Sequence, residues 1–446
     1  MTLADQDLRD AIRRELPRIR ADLERLIRIP GVAFDGFDHA HVERSARTVA
    51  ELLRDCGLDV QVSRADGQPA VIGRRPAPPG APTVLLYAHH DVQPAGDPML
   101  WDGDPFEPVE RDGRLYGRGA ADDKAGVMAH IAALRAFGDR LPVGVVVFVE
   151  GEEEYGSGSL DRLLELHADL LHADVIVVAD SDNWDIGRPA LTVSLRGVVS
   201  CFVEVATLGN AVHSGMFGGP VPDALTALVR LLSTLHDENG EVAVGGLTRG
   251  EGSAVEWAED RFRREAGVLD GITLLGDGRL TDRVWNRPAI AVLGIDGPRT
   301  GEAPNALVPR ARAKLSVRIA PGDEPQTAYA ALRAHLEKHA PWGAHVRVIA
   351  ESLGSPCRID PTGPAYDAAR SAIAVAWDGV APVEIGIGGS IPCVATFQHR
   401  FPAAAILVTG IEDPYCAAHG PNESLHLGEF ARTCLAEALL LRNLAG

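Results

Sequence analysis

The stretch VLLYAHHD, residues 84–91, is an apolar run typical of a buried β-strand, and it ends abruptly in two histidines and an aspartate. Two later runs, VGVVVFVE (143–150) and VIVVAD (175–180), are equally apolar and continue into EGEEE and DSDN. Continuously apolar strands are typical of a mainly parallel sheet that is covered by helices on both faces. Because sites in such sheets form at the carboxyl ends of the strands, we predict an α/β fold with a functional site at these strand ends.

Helical periodicity over 4–28, 39–57, 124–138 and 158–170 alternates with these strands and predicts a doubly wound sheet. From about residue 193 the order becomes β-α-β-β-α-β, with LTVSLRGVVSCFVEVA as its first strand, which is typical of a ferredoxin-like α+β domain. The alternating pattern resumes after Ser355. We therefore predict a first domain formed by 1–192 and 354–446, with a second domain, 193–353, inserted into it.

Composition limits the classes of function. The 446-residue chain carries a formal net charge of −19, which argues against nucleic acid or an anionic membrane as a partner. No run approaches the roughly 18 apolar residues of a membrane-spanning helix, and the charged amphipathic start of the chain does not resemble a signal peptide. Six cysteines lie scattered without CxxC spacing, as expected for reduced thiols. Together these features predict a cytoplasmic protein.

The HHD segment offers the first candidate metal ligand. Residues i and i+2 of a strand point the same way, so His89 and Asp91 share one side and His90, which faces away, is expected to be structural. A ligating histidine usually needs a partner on its other ring nitrogen to fix its orientation, and Asp91 can serve that role. The alternative is a His–Asp hydrogen bond at a strand end with no metal.

Carboxylates follow at three further points in the chain. Adjacent Asp122 and Asp123 repel each other, which suggests that a cation neutralises one of them, although a helix N-cap pair is the alternative. Adjacent Glu153 and Glu154 follow the second apolar strand and could divide metal binding and general-base catalysis between them. The third strand leads into Asp180 and Asp182, and a loop histidine, His419, would supply a second imidazole.

A set of longer motifs then identifies a resemblance. The chain is similar to the M20 family of zinc metallopeptidases of the aminoacylase type, and within it to the branch of nonspecific dipeptidases and carnosinases. The matching segments run in family order from about residue 80 to 425: YAHHDVQPA, WDGDPFEPVERDGRLYGRGAADDKAG, EGEEEYGSGSL, ADSDNW, NAVHSGMFGG, LSVRIAP, GGSIP and AHGPNES.

The resemblance implies a co-catalytic centre of two divalent metal ions, with Zn²⁺ expected first and Mn²⁺ or Co²⁺ as alternatives. Asp122 and a water would bridge the ions, His89 and Asp182 would complete one site, and Glu154 and His419 would complete the other. Glu153 matches the general base and Asp91 matches the carboxylate that tunes the His89 side. The peptide bond between Asp122 and Asp123 is expected to be cis.

For the inserted domain, the resemblance implies a lid and a homodimer interface. His213 would reach the partner subunit's active site and stabilise the oxyanion. Arg318 would hold the substrate's C-terminal carboxylate, and the substrate-contacting segments would also include Asn305 and Ser390.

The implied function is metal-dependent hydrolysis of the amide bond of dipeptides or similar small peptides, with Glu153 as base for a metal-activated water. One departure from the branch pattern, Ile387 in place of a glutamate beside GGSIP, raises the alternative of an N-acyl amino acid deacylase or desuccinylase. A catalytically inactive binding protein on the same fold is a further alternative, but the retained ligands, base and His213 argue against it.

Overall fold

The computed structural model describes residues 3–446 and divides the chain into two compact units. The first unit runs to Val193 and resumes over Ile359–Ile385 and Pro392–Gly446. The second unit comprises Ser194–Arg358 together with the short segment Gly386–Ile391. The sequence-based division at 192/193 and 353/354 did not anticipate that this short segment belongs to the second unit.

The first part of the chain alternates helices and strands. Its helices are α1 (Asp5–Ile27), α2 (Ala40–Asp55), α3 (Lys124–Phe137), α4 (Leu160–Leu166) and α5 (Ala168–Leu171). Its strands are β1 (Asp59–Ser63), β2 (Ala70–Arg75), β3 (Thr83–His89), β4 (Val109–Arg111), β5 (Arg114–Tyr116), β6 (Gly144–Glu150), β7 (Val175–Val178) and β8 (Ala190–Leu195).

The middle of the chain forms the second unit. Its elements are β9 (Gly197–Ala206), β10 (Val212–His213), α6 (Ser214–Phe217), α7 (Ala224–Leu232), α8 (Glu259–Glu265), α9 (Leu280–Trp285), β11 (Ala289–Asp296), β12 (Ala306–Leu307), β13 (Arg310–Ile319), α10 (Pro325–Lys338), β14 (His345–Gly354) and β15 (Cys357–Arg358). The sheet order β11-β13-β9-β14 is antiparallel throughout. With α7 and α10 as its helices, this is the predicted ferredoxin-like arrangement.

The last part of the chain completes the first unit with α11 (Pro364–Ala376), β16 (Val383–Ile387), α12 (Pro392–Arg400), β17 (Ala405–Thr409), β18 (Ser424–His426) and α13 (Leu427–Leu444). The main sheet has the order β1-β2-β6-β3-β7-β17-β8-β15, and β16 pairs with β8. Its central neighbours β6, β3, β7 and β17 are parallel. The fold class is therefore the predicted mainly parallel α/β sheet with an inserted α+β unit.

Burial explains why the central strands read as continuous apolar runs. All seven residues of β6 and all four of β7 are buried, and α1, α3 and α13 pack together on the sheet. A strand covered on both faces has no solvent side, so apolar residues occupy every position rather than alternate ones.

One predicted strand is wrong in its extent. LTVSLRGVVSCFVEVA forms two strands, β8 and β9, with a break at Arg196. Gly197 starts the second strand at a close backbone approach, since a Cβ there would lie 2.5 Å from the carbonyl oxygen of Gly354. The apolar pattern continues across this break because β8 is largely buried and β9 alternates buried with half-buried residues, so hydrophobicity alone does not reveal it.

All six cysteines are free thiols, and five of them are buried. Within residues 3–446, no helix combines the length and the apolar character needed to cross a bilayer.

Candidate active site

The candidate site lies at the carboxyl ends of the central strands, where parallel strands deliver their following residues to one edge. His89 ends β3, the 3₁₀ turn Glu153–Tyr155 follows β6, and Asp180 follows β7. The loop after β17 supplies His419, and the loop that leads into α3 supplies Asp122. All five segments belong to the first unit.

His89 and Asp122 form the centre of the cluster. His89 is fully buried, and its Nε2 lies 3.0 Å from Oδ1 of Asp122 and 3.8 Å from Oδ1 of Asp180. On the other side of the ring, Nδ1 lies 3.2 Å from the carbonyl oxygen of Asp91 and 3.5 Å from its Oδ1. The sequence-based pairing of His89 with Asp91 therefore has the geometry that orients a ligating imidazole.

Asp122 also faces a second group of ligand atoms. Its Oδ2 lies 2.9 Å from Nε2 of His419, and the same nitrogen lies 3.2 Å from Oε2 of Glu154. One carboxylate thus has an imidazole at each oxygen, which is the arrangement expected of a ligand shared by two ions. The ligand atoms of Asp122, Glu154 and His419 all lie within 4.8 Å of one another.

The structure places Asp180, rather than the predicted Asp182, beside His89, with 3.8 Å between Oδ1 of Asp180 and Nε2 of His89. The carboxylate of Asp182 groups with Glu412 and Cys416. β7 ends at Val178, and Asp182 pairs with Glu412 in an isolated β-bridge, so the alternation of a regular strand no longer relates Asp180 and Asp182. The group Asp122, Asp180 and Glu412 adds a further carboxylate, Glu412, that was not among the predicted ligands.

The adjacent Glu153 and Glu154 have different surroundings. The carboxylate of Glu154 accepts hydrogen bonds from the backbone N–H and the side-chain amide of Gln93, at 3.1 and 2.7 Å. Both glutamates donate their backbone N–H groups to the carboxylate of Asp91, at 3.2 and 3.1 Å. Asp91 therefore holds the turn that carries them as well as the ring of His89. Gln93, in the HHDVQPA motif, was not predicted as a site residue.

The carboxylate of Asp123 accepts hydrogen bonds from the backbone. Its carboxylate accepts from the N–H of His89 at 3.1 Å and caps α3 by accepting from the N–H of Gly126 at 3.2 Å. The N-cap alternative therefore holds for Asp123, which also has a carboxylate oxygen within 4.8 Å of ligand atoms of His89 and Asp180. The peptide bond between Asp122 and Asp123 is cis, as the resemblance implied. His90 is buried and structural, with Nε2 2.9 Å from the carbonyl oxygen of Pro69.

The electrostatics of the cluster fit a cation. Burial raises the pKa of Asp180 to about 7 and raises the pKa of Glu153 and Glu154. Hydrogen bonds with Asp122 and Glu154 raise the pKa of His419 to about 10. Raised pKa values of buried acids, beside an imidazole whose pKa is also raised, indicate a surplus of negative charge. A divalent cation would balance that surplus, and this set of imidazole and carboxylate donors suits Zn²⁺, Mn²⁺ or Co²⁺.

In the second unit, His213 and Asn305 lie side by side. β10 and β12 pair His213 with Ala306, and the backbone N–H of Ser214 donates to the carbonyl oxygen of Asn305 at 3.0 Å. His213 is exposed, and its Nδ1 accepts a hydrogen bond from the N–H of Gly215 at 3.0 Å. The Nε2 atom is the nitrogen left for contact with another molecule.

Arg318 lies near the GGSIP segment in the same unit. Its Nη1 is 3.5 Å from Oγ of Ser390, and burial lowers its pKa. A second guanidinium, Arg196, donates to the carbonyl oxygen of Gly388 at 2.9 Å. Burial, with a smaller contribution from the charge of Arg318, lowers the pKa of Arg196 to about 10. Arg196 was missed in the sequence because it follows an apolar run that resembles an ordinary strand.

Comparison with known proteins identifies the family to which the chain belongs. The family described as Peptidase family M20/M25/M40 matches residues 85–443. The chain is 37% identical to the Cysteinylglycine-S-conjugate dipeptidase of Corynebacterium striatum, over 91% of this chain and 90% of that protein. It is 30% identical to the Cys-Gly metallodipeptidase dug1 of Schizosaccharomyces pombe, over 92% of each.

A solved structure shows the same fold. The di-peptidase Dug1p from Saccharomyces cerevisiae superposes with a TM-score of 0.85 at 24% identity and covers 100% of this chain and 99% of that one. The family match extends over all the segments that form the carboxylate and histidine cluster. The chain therefore belongs to peptidase family M20/M25/M40.

Proposed function

We propose that the chain hydrolyses the peptide bond of dipeptides with the help of divalent metal ions bound at the candidate site. The relatives at 37% and 30% identity are named as dipeptidases, one of them as a metallodipeptidase, and this favours peptide hydrolysis over the deacylase alternative. Free thiols at all six cysteines agree with a reducing compartment, so a cytoplasmic location is part of the proposal.

The proposed metal centre holds two ions. His89 and Asp180 would hold one ion, Glu154 and His419 would hold the other, and Asp122 would contact both. The distances among these ligand atoms and the surplus of buried carboxylates support this assignment. Such ions, with zinc as our first expectation, would polarise the scissile carbonyl and promote ionisation of water.

The contrast between Glu153 and Glu154 carries the mechanistic part of the proposal. Glu154 is fixed by Gln93 and His419, as a ligand should be. Within the described chain, no group donates a hydrogen bond to the Glu153 carboxylate, and burial raises its pKa well above the usual value. A carboxylate in that condition is suited to accept a proton from the attacking water and to pass it to the leaving amine.

The second unit would bind the substrate. Arg318 offers a guanidinium fork that suits the C-terminal carboxylate of a dipeptide, with Ser390 beside it and Arg196 adding positive charge. Asn305 and His213 would contact the peptide, with His213 acting in the partner subunit of a homodimer and stabilising the oxyanion. Exposed apolar side chains support such an interface: Met216 and Phe217 next to His213, and Val292, Leu293 and Ile295 on β11.

A metal-depletion experiment tests the proposal. Protein stripped with a chelator should lose turnover of Ala-Ala and regain it when Zn²⁺, Mn²⁺ or Co²⁺ is returned. N-acetyl-alanine should be cleaved more slowly than Ala-Ala at equal metal loading. Turnover that survives complete metal removal contradicts the metal centre, and preferential cleavage of N-acetyl-alanine would establish the deacylase alternative.

A further inference from the structure

A buried carboxylate outside the ligand set, Glu423, holds the loop that carries Asp122. Glu423 is fully buried in the loop after β17. Its Oε1 accepts hydrogen bonds from the backbone N–H groups of Ala121 and Asp122, at 2.9 and 3.1 Å. Its Oε2 accepts from the N–H of Gly119 at 3.0 Å. Three N–H groups of one short loop therefore donate to a single side chain, and one of these groups is the backbone N–H of Asp122 itself.

Arg118 extends this contact to the loop of His419. Its guanidinium is almost fully buried, and Nη1 donates to Oε2 of Glu423 at 2.7 Å. Nη2 donates to the carbonyl oxygen of Gly420 at 3.0 Å, one residue beyond His419. The ion pair thus connects the backbone on either side of the Asp122–His419 contact, which measures 2.9 Å between ligand atoms.

Stability alone does not explain the buried ion pair between Arg118 and Glu423. A buried ion pair seldom stabilises a fold more than well-packed apolar residues would, and Glu423 also places a negative charge near Asp122 in a cluster already rich in carboxylates. An apolar residue in place of Glu423 could not reproduce the fixed directions of the hydrogen bonds that its carboxylate accepts. The geometry of the loop, rather than stability, is therefore the property that Arg118 and Glu423 uniquely provide.

We infer that Arg118 and Glu423 are positioning residues that set the separation of Asp122 and His419 so that both can bind the same divalent ion. This inference rests on the proposed metal centre. Groups that orient metal ligands without touching the ion typically change metal affinity by about 10- to 100-fold when they are altered. The affected ion is the one assigned to Asp122, Glu154 and His419, because Arg118 and Glu423 contact the backbone beside two of its three ligands.

The test measures metal binding directly, without activity. Metal-free protein is titrated with Co²⁺, and binding is followed by visible absorption and by competition with a chelator. Glu423→Gln keeps the shape but faces N–H donors with an amide that is itself a donor, and it should weaken one of the two binding steps by at least about tenfold. Arg118→Lys keeps the charge but cannot make both contacts, and it should weaken the same step.

Glu437→Gln is the matched control. Glu437 is also buried in the first unit, and its Oε1 lies 2.8 Å from Nδ1 of His130, away from the ligand loops. It should lower the melting temperature but leave both Co²⁺ binding steps within about threefold of the unmodified protein. If Glu423→Gln and Arg118→Lys lower only the melting temperature, as the control does, the pair is merely structural and the inference is wrong.

A different result would overturn the proposed function. Unmodified protein that binds no Co²⁺ in this titration would contradict the metal centre itself, whatever the variants do. If Glu423→Gln does not fold, Arg118→Lys gives the decision, because unchanged Co²⁺ binding by that variant overturns the inference.

Discussion

The carboxylates of Glu153 and Glu154 belong to neighbouring residues, yet only that of Glu154 is fixed by its surroundings. Gln93 donates two hydrogen bonds to Glu154, and His419 lies 3.2 Å from the same carboxylate. Asp91 holds the backbone N–H groups of both glutamates. A single turn can therefore present one rigid carboxylate for a metal and one free carboxylate for proton transfer.

This difference predicts opposite effects of two matched substitutions. Glu153→Gln should lower kcat by at least about 10²-fold, the scale of general acid–base catalysis, and should leave metal content unchanged, because the amide keeps the shape but cannot accept the proton. Glu154→Gln should lower metal content. Elemental analysis and steady-state kinetics on the same preparations check both effects. The reverse pattern, with metal lost from the Glu153 variant alone, would exchange the two roles.

A second prediction separates Asp180 from Asp182. Asp180→Asn should weaken metal binding by at least about tenfold, because Asp180 lies 3.8 Å from Nε2 of His89 and would supply a charged ligand. Asp182→Asn should have a smaller effect, because that carboxylate groups with Glu412 and Cys416. Isothermal titration of the two metal-free variants makes the comparison. Equal losses, or a larger loss for the Asp182 variant, would return Asp182 to the ligand set.

Most of the fold could be predicted from the sequence because its strongest signals are local. The central strands are buried on both faces, and the helices predicted over 39–57 and 124–138 are found as α2 and α3 within two residues of those limits. Strand β1 gave no such signal, since its sequence DVQVS has no buried residue. The break between β8 and β9 was hidden because apolar residues continue across it.

The site could be predicted only in part for a related reason. His89 is the last residue of the buried strand β3, so the end of that strand predicts where it lies. Asp180 and Asp182 follow the end of β7, where strand alternation no longer applies, and motif similarity alone did not distinguish them. Glu423 acts on a loop some three hundred residues earlier in the chain, and no local pattern indicates such a contact.

The proposed homodimer predicts complementation between two inactive variants. His213→Ala should reduce turnover by about 10²- to 10³-fold, the usual cost of a lost oxyanion contact, and Glu153→Gln should also be inactive. In a heterodimer of the two, one active site would combine an intact Glu153 with an intact His213 from the other subunit. Turnover should therefore recover towards half of the unmodified level, measured on purified heterodimers with two different affinity tags. Heterodimers without recovery would show that His213 acts within its own subunit.

The two ends of the substrate should differ in importance. Arg318 would pair with the C-terminal carboxylate, while Ile387 leaves no acid in its segment to bind a free ammonium group. Amidation of the C-terminus of a dipeptide should therefore lower kcat/KM more than acetylation of its N-terminus does. Arg318→Met should raise KM for free dipeptides and have less effect on their amides. Efficient cleavage of amides by the unmodified enzyme, or complete rejection of acetylated substrates, would contradict this assignment.

The buried pair formed by His130 and Glu437 predicts that the stability of the fold depends on pH. Nδ1 of His130 lies 2.8 Å from Glu437, and its Nε2 lies 3.0 Å from the carbonyl oxygen of Tyr87. Burial alone would lower the pKa of His130, but the charge of Glu437 and the hydrogen bonds to Glu437 and to the carbonyl oxygen of Tyr87 together outweigh this effect and raise it. Because the folded-state pKa is the higher one, protonation stabilises the fold fully below the unfolded value near 6.5 and ceases to do so as the pH rises through the raised pKa.

Glu437→Gln should therefore destabilise the protein by about 3 kcal/mol at pH 6, as is typical when a buried charge loses its partner, and by less in alkaline solution. Urea unfolding of the variant and of the unmodified protein at pH 6 and at pH 9.5 gives the two differences. A difference that is the same at both values would mean that His130 is neutral in the folded protein.

The position of β17 in the sheet has a consequence for synthesis on the ribosome. β17 lies between β7 and β8, pairing with both, although almost all of the second unit is translated after β8 and before β17. While that unit emerges, β7 lacks β17, its partner on one side. The loop with His419 and Glu423 has not yet been translated. The nascent first unit thus presents an open strand edge to its surroundings, and the proposed ligand set of Asp122, Glu154 and His419 is complete only after the segment that follows the second unit has been translated and has inserted.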